Sequence, residues 1–232
     1  MPMIHDRNAR GRTKIGWLDS YHTFSMGGFY DPNRIQHRAL RVLNEDRVIP
    51  GAGFGTHGHK DMDIISVVLD GALRHKDSMG NGSIIQPGEI QAMSAGTGIT
   101  HSEMNASETD PVHFFQIWII PDERGLPPRY QQKTIDATAA KNEFHPIATP
   151  EGEGDAIKLH SDTSLYLAKL DEGTEVSHVF ETGRAGFLQI LSGEVEIEGN
   201  RLKAGDGLQF EATTSCSVLA TETSDILLFD LR

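Results

Sequence analysis

Short apolar runs alternate with turn-forming clusters along this chain, and no long stretch carries helical periodicity. Residues 64–73 (Ile-Ile-Ser-Val-Val-Leu-Asp-Gly-Ala-Leu) have the β-branched enrichment of a buried strand, with Asp70-Gly71 as a turn signal. Asp77 to Gly82 is a second turn cluster, and Pro87-Gly88-Glu89 opens a strand over Ile90 to Ser94. From His113 to Ile120 both alternating faces are largely apolar, which predicts a strand lying between two layers. Proline, glycine and charge mark a loop over residues 121–129. A short helix is allowed near 138–143. The fold class expected is all-β.

The second half repeats the first in outline. Leu69-Asp70-Gly71-Ala72-Leu73 is echoed by Leu191-Ser192-Gly193-Glu194-Val195 at an offset of 122. Ile85-Gln86-Pro87-Gly88-Glu89-Ile90-Gln91 is echoed by Leu202 to Leu208 at an offset of 117. Internal duplication of a β-unit explains both echoes. Residues 136–156, with Pro146, Pro150, Gly152 and Gly154, form the expected connection, so the domains are read as 1–135 and 136–232.

Composition narrows the class of partner. Acidic side chains (33) outnumber basic ones (21), a formal charge of -12, and no dense Lys/Arg cluster exists. Direct binding to nucleic acid or to an anionic membrane is therefore not expected, since both reward a basic patch. Cys216 is the single cysteine, so no intrachain disulfide can form; it is expected as a buried small hydrophobe. The first residues lack a signal-like apolar core, and the most apolar runs are too short to span a bilayer. A cytoplasmic protein is the expectation.

Candidate chemistry sits in two pairs, His57-x-His59 and His101-x-Glu103. A spacing of two places both members of a pair on one face of a strand. Two such strands facing each other offer three imidazoles and a carboxylate to one cation, a set suited to divalent transition metals. Asp61 and Asp63 share the face of His57 and His59, so spacing alone leaves the carboxylate ligand open. In the second half the same offsets put Val179 and Glu181 at the places of His57 and His59, and Val218 at that of His101. The second copy is therefore expected to be structural.

These stretches resemble the two cupin motifs. Gly51, five residues and His57-x-His59 match the first, with Asp63 where it usually has glutamate; Gly98-x-x-His101-x-x-x-Asn105 matches the end of the second, with Gly96 in place of its proline. Further blocks, Trp17 to Ser25, Tyr30-Asp31-Pro32, Met93 to Ile99 and Phe115 to Ile119, narrow the resemblance to the pirin family of bicupins, its bacterial quercetin dioxygenases in particular. The resemblance covers most of residues 16–130 and is weaker over 136–232. It implies two jelly-roll barrels in tandem, the N-terminal one metal-binding and the C-terminal one degenerate. It also implies the ligand set His57, His59, His101 and Glu103, with Glu103 as catalytic base, and leaves Asp63 to orient a ligand imidazole. Lys60 stands where pirins often carry arginine.

Iron, as Fe(II), is the metal the resemblance implies, with Mn, Ni, Cu and Zn chemically admissible. The implied activity is cleavage of a flavonol such as quercetin by O2 with release of carbon monoxide, by a monomer. The alternative is a metal-bound regulatory module of pirin type that acts through a protein partner. A sugar isomerase on the same ligands ranks below both. His22 and His113 are expected to make structural hydrogen bonds, Trp17 and Trp118 to pack cores, and the remaining histidines to form no second site.

Overall fold

The computed structural model describes residues 2–211 and 214–232. More than half of the described residues lie in strands: β1 (Met3–His5), β2 (Gly11–Lys14), β3 (Leu18–His22), β4 (Leu40–Val48), β5 (Gly53–His59), β6 (Asp63–Asp70), β7 (Leu73–Asp77), β8 (Gly82–Ile85), β9 (Glu89–Ser94), β10 (Ile99–Asn105), β11 (Val112–Ile119) and β12 (Arg129–Thr134). The second half continues with β13 (His145–Thr149), β14 (Ile157–Lys158), β15 (Thr163–Leu170), β16 (Glu175–Val179), β17 (Ala185–Ser192), β18 (Glu194–Ile197), β19 (Asn200–Lys203), β20 (Gly207–Phe210), β21 (Ser215–Ala220) and β22 (Ser224–Leu231). The one helical element among the described residues is a 3-10 turn, Arg7–Ala9. The helix allowed near 138–143 is a single turn: Asp136 accepts from the Thr138 and Ala139 amides, and no second turn follows.

Two compact units result, Gly11–Thr134 with Leu159–Ser161, and the residues up to Arg10 with Ile135–Lys158 and Asp162–Arg232. Each is a two-sheet jelly roll. The first has sheets in the order β12-β9-β6-β11-β4-β3-β2 and β5-β10-β7-β8. The second has β1-β20-β17-β22-β15-β13-β14 and β16-β21-β18-β19. The two orders match except at the edge beyond β3 and β13, where β2 pairs antiparallel and β14 parallel, and β1 takes the place of β12. Residues up to Arg10, which the sequence reading assigned to the first domain, thus belong with the second: Met3, Ile4 and His5 pair with Gln209, Leu208 and Gly207.

Backbone pairing aligns the copies more finely than the sequence echoes do. Gly71 and Gly193 occupy the same turn with φ of 76° and 77°. A Cβ at either would lie 2.5 Å from Pro111 O or 2.3 Å from Thr223 O, so both turns require glycine. From these fixed points Leu73 pairs with Asn105, and Val195 with Ala220. Cys216 therefore stands where the first unit has His101, and Val218 where it has Glu103. Since His101 pairs with His57 and Cys216 with His178, His178 takes the place of His57. This corrects the fixed-offset alignment, which put Val218 at His101 and Val179 at His57. In the second copy the stretch after the glycine turn is shorter and the stretch before it one residue longer, so one offset cannot serve every strand.

The interiors differ in kind. The second barrel is filled by Leu188, Ile190, Val195, Leu208, Val218, Leu228 and their neighbours in one apolar cluster, which includes Cys216. Burial pushes the Cys216 thiol up to about 12, as expected of an inert core cysteine. The first barrel has an apolar end built on Val48, Val68, Leu73, Ile85, Val112 and Phe114. Above it, Ser66, Gln91, Glu103, Gln116, Asn44 and Asp46 are buried polar residues. The register puts Leu188, Leu228 and Ala168 at the positions of Ser66, Gln116 and Asp46.

Asp46 is fully buried, and one of its oxygens has no hydrogen-bond partner among the described residues. Burial raises its pKa to about 7 against a hydrogen bond from Ser20, with the charges of Glu103 and Glu45 adding to the rise. A carboxyl whose folded-state pKa exceeds its unfolded value stabilises the fold while protonated. That contribution is complete below about pH 4, fades as pH rises to about 7, and is absent above. Asp46→Asn is accordingly expected to raise the Tm of the metal-free protein at pH 8, at about 2–4 °C per kcal/mol recovered. At pH 4.5 the gain should shrink by more than half; equal gains at both pH values would contradict the buried-acid account.

Candidate metal centre

Antiparallel pairing of β5 with β10 sets His101 opposite His57 and Ile99 opposite His59. Beyond His101 the register slips, and Glu103 comes opposite Phe54. On β10 the inward residues are Ile99, His101, Glu103 and Asn105, all buried. Close approach of the strands depends on Gly53, where a Cβ would lie 2.3 Å from Glu103 O and 2.6 Å from Met104 Cα.

Pairing brings one ligating atom each from His57, His59 and His101 within 4.8 Å of one another. His57 Nδ1 lies 2.8 Å from Gly55 O, and a carbonyl only accepts, so Nδ1 carries the proton and Nε2 keeps its lone pair. That Nε2 is 3.1 Å from His101 Nε2. Two nitrogens bound at about 2.0–2.1 Å and roughly a right angle lie about 3 Å apart, so this separation fits a shared cation. His59 and His101 are also held neutral. Burial, then the neighbouring His57, lowers His59 to about 4. Burial, then His57, His59 and His75, lowers His101 to about 3, against the pull of Asp77. Neutral imidazole is the ligating form, so the donor set fits a divalent transition metal.

Glu103 is fully buried on the same face of β10 as His101, but its carboxylate is not part of the three-imidazole cluster. Gln116 Nε2 donates to Oε2 at 2.6 Å and Ser66 Oγ to Oε1 at 3.3 Å. Burial raises its pKa, opposed by Gln116, the charge of His57 and Ser66. Gln116 Oε1 in turn accepts from Trp118 Nε1 at 3.2 Å. The Trp118 ring meets His59 edge-on, with centroids 4.9 Å apart, so it walls the centre as well as packing beside Ile64 and Met93.

Other candidates fall elsewhere. Asp63 is buried, and its oxygens meet the His160 amide at 2.8 Å and the His160 ring at 3.4 Å. Its partner is thus His160 rather than a ligand imidazole, because it opens β6 while the ligands lie on β5 and β10. Asp61 accepts from the Gly125 amide at 2.7 Å. His22 bonds Thr13 and Asn44, and His113 bonds Glu45, as expected. Trp17 packs edge-on against Phe54. Sequence reasoning passed over His75, which pairs with buried Asp77 at 3.2 Å and has its ring 5.4 Å from that of His101. The signal was present as His75-x-Asp77, the same spacing of two on β7. An open depression of about 590 Å³ lies beside His59, lined also by Gly58, Lys60, Ser78, Gly98, Ile99 and Thr100.

Paired jelly rolls with converging imidazoles in one of them define a metal-binding bicupin. More narrowly, the chain belongs to the pirin family: residues 4–119 match Pirin, and residues 146–231 match the quercetinase C-terminal cupin domain. It is 43% identical over 231 residues to a quercetin 2,3-dioxygenase of Escherichia coli, covering 100% of this chain and 99% of that one. The structure of the Escherichia coli bacterial pirin YhhW in complex with nickel(II) superposes with a TM-score of 0.95 at 42% identity, over 100% of this chain and 99% of that chain. YhaK of the same organism follows at 27% identity and a TM-score of 0.76, over 95% and 93%.

If the strand approach sets the centre, Gly53→Ala is expected to weaken Ni²⁺ binding at least about tenfold, the scale of supporting-residue changes at metal sites. Gly55→Ala, whose Cβ meets nothing within 4 Å, should leave affinity unchanged. Competition with a chelating dye reads both, and equal behaviour of the two variants would refute the claim.

Proposed function

We propose that the protein is a metal-dependent dioxygenase that opens the central ring of a flavonol such as quercetin with O2 and releases carbon monoxide. The observation that carries this reading is the three-imidazole cluster on the same face of β10 as the buried carboxylate of Glu103, with His59 lining a depression of about 590 Å³. Full-length similarity to a curated quercetin dioxygenase favours the enzyme over the interaction module. His57, His59 and His101 hold the metal, and Glu103 completes the set. Fe(II) is the working metal in this reading, and the cytoplasm its compartment.

When bound, the metal supplies positive charge that acidifies a substrate hydroxyl. The chain's own groups handle the proton. Glu103 accepts it: burial makes this carboxylate a stronger base than an exposed one, while Gln116 and Ser66 hold each oxygen as an acceptor. Trp118 and Ile99 give apolar surface at the ring and limit water at the centre. Exposed Lys60 places a cation at the rim, suited to a phenolate substituent.

Purified, metal-loaded protein is expected to consume O2 and release carbon monoxide as flavonol absorbance falls. Glu103→Ala should lower kcat by about 10²–10⁴, the range for losing a general base. Wild-type turnover in a metal-loaded Glu103→Ala protein would sink the assignment of the base. Absence of O2 uptake across flavonols would sink the activity.

A further inference from the structure

A single hydrogen-bonded chain links the wall of the centre to its carboxylate, and its polarity is fixed at one end. An indole N–H only donates, so the Gln116 atom 3.2 Å from Trp118 Nε1 is the amide oxygen. The Gln116 amide nitrogen must then face Glu103 Oε2, at 2.6 Å, and donate to it. With Ser66 donating to the other oxygen, each oxygen of Glu103 has one protein donor and a lone pair to spare. Gln116 and Ser66 are neighbours across β11 and β6, so both donors come from rigid, buried strands.

The second barrel supplies an independent observation. At the positions of Glu103, Gln116, Ser66 and Trp118 it carries Val218, Leu228, Leu188 and Asp230. None of those four keeps the chemistry of its counterpart, while His178 still stands at the place of His57. Gln116, Ser66 and Trp118 thus accompany Glu103 in the first barrel, and all three are replaced where it is replaced.

We propose that Gln116 is the positioning residue for Glu103, and that the Trp118 N–H acts through Gln116 by locking its amide in the donating orientation. This rests on the reading of Glu103 as a metal ligand. Trp118 thereby serves both halves of the ligand set: its ring packs on His59, and its N–H aims the carboxylate. Without that N–H the amide is free to turn its oxygen toward Glu103, where two acceptors repel.

The test is Ni²⁺ affinity, measured by chelator competition on the full chain, with the Tm of each variant as a folding control. Gln116→Met, close in shape but without donor or acceptor, is expected to weaken binding about tenfold or more, and Trp118→Phe, which keeps a ring against His59, about threefold to tenfold. Because Trp118 acts through Gln116, the double variant should be no weaker than Gln116→Met alone. On Cu²⁺-loaded protein, electron paramagnetic resonance should show the same altered signal for both single variants. Multiplied losses in the double variant, or unchanged affinity in Trp118→Phe, would overturn the proposal. Glu103→Gln separates the two levels. Unchanged Ni²⁺ affinity in that variant defeats the ligand reading and the proposal with it. A loss there, with Gln116→Met and Trp118→Phe as wild type, defeats the proposal alone.

Discussion

The pairing of β5 with β10 in the register that sets His57 opposite His101 is the constraint on which the centre depends. A slip by one residue would turn every side chain of β5 to the other face and remove two imidazoles at once. Glycine at 53 permits the approach, the Gly55 carbonyl fixes the tautomer of His57, and the unbroken alternation of β10 keeps Glu103 on the face of His101, beside the Gln116 and Ser66 donors. Each device is local, and each acts through the same pair of strands.

Comparison of the two barrels separates what the fold needs from what the chemistry needs. Filling a position with buried leucine contributes about 1.5–3 kcal/mol, and the second barrel does so at Leu188 and Leu228. At the equivalent Ser66 and Gln116 the first barrel forgoes that gain, and it buries Asp46 and Glu103 at a desolvation cost seen in their raised pKa values. A jelly roll of this topology folds without the polar layer. The layer is therefore accounted for by the site, as expected where function overrides local stability.

Much of this was legible in the sequence. The strand content, the duplication and the three imidazoles follow from short-range patterns: β-branched runs, repeated Gly turns and a spacing of two. What was hidden depends on partners distant in the chain. Gln116 reads as one polar residue in an apolar strand until β10 brings Glu103 to it. Asp63 sits in the motif position of a ligand, yet bonds His160, which lies 97 residues later. His178 was missed at the place of His57 because the stretch between it and the Gly193 turn is one residue longer than its counterpart, which defeats a fixed offset. The placement of β1 beside β20 has no local signal at all, since a three-residue strand pairs wherever an edge is offered.

X-ray absorption on Ni²⁺-loaded protein counts the ligands at the centre in solution. The account predicts one Ni²⁺ per chain, scattering from three imidazoles, and a carboxylate oxygen that disappears in Glu103→Gln. A second equivalent of metal, fewer than three imidazoles, or a shell unchanged in Glu103→Gln would contradict it.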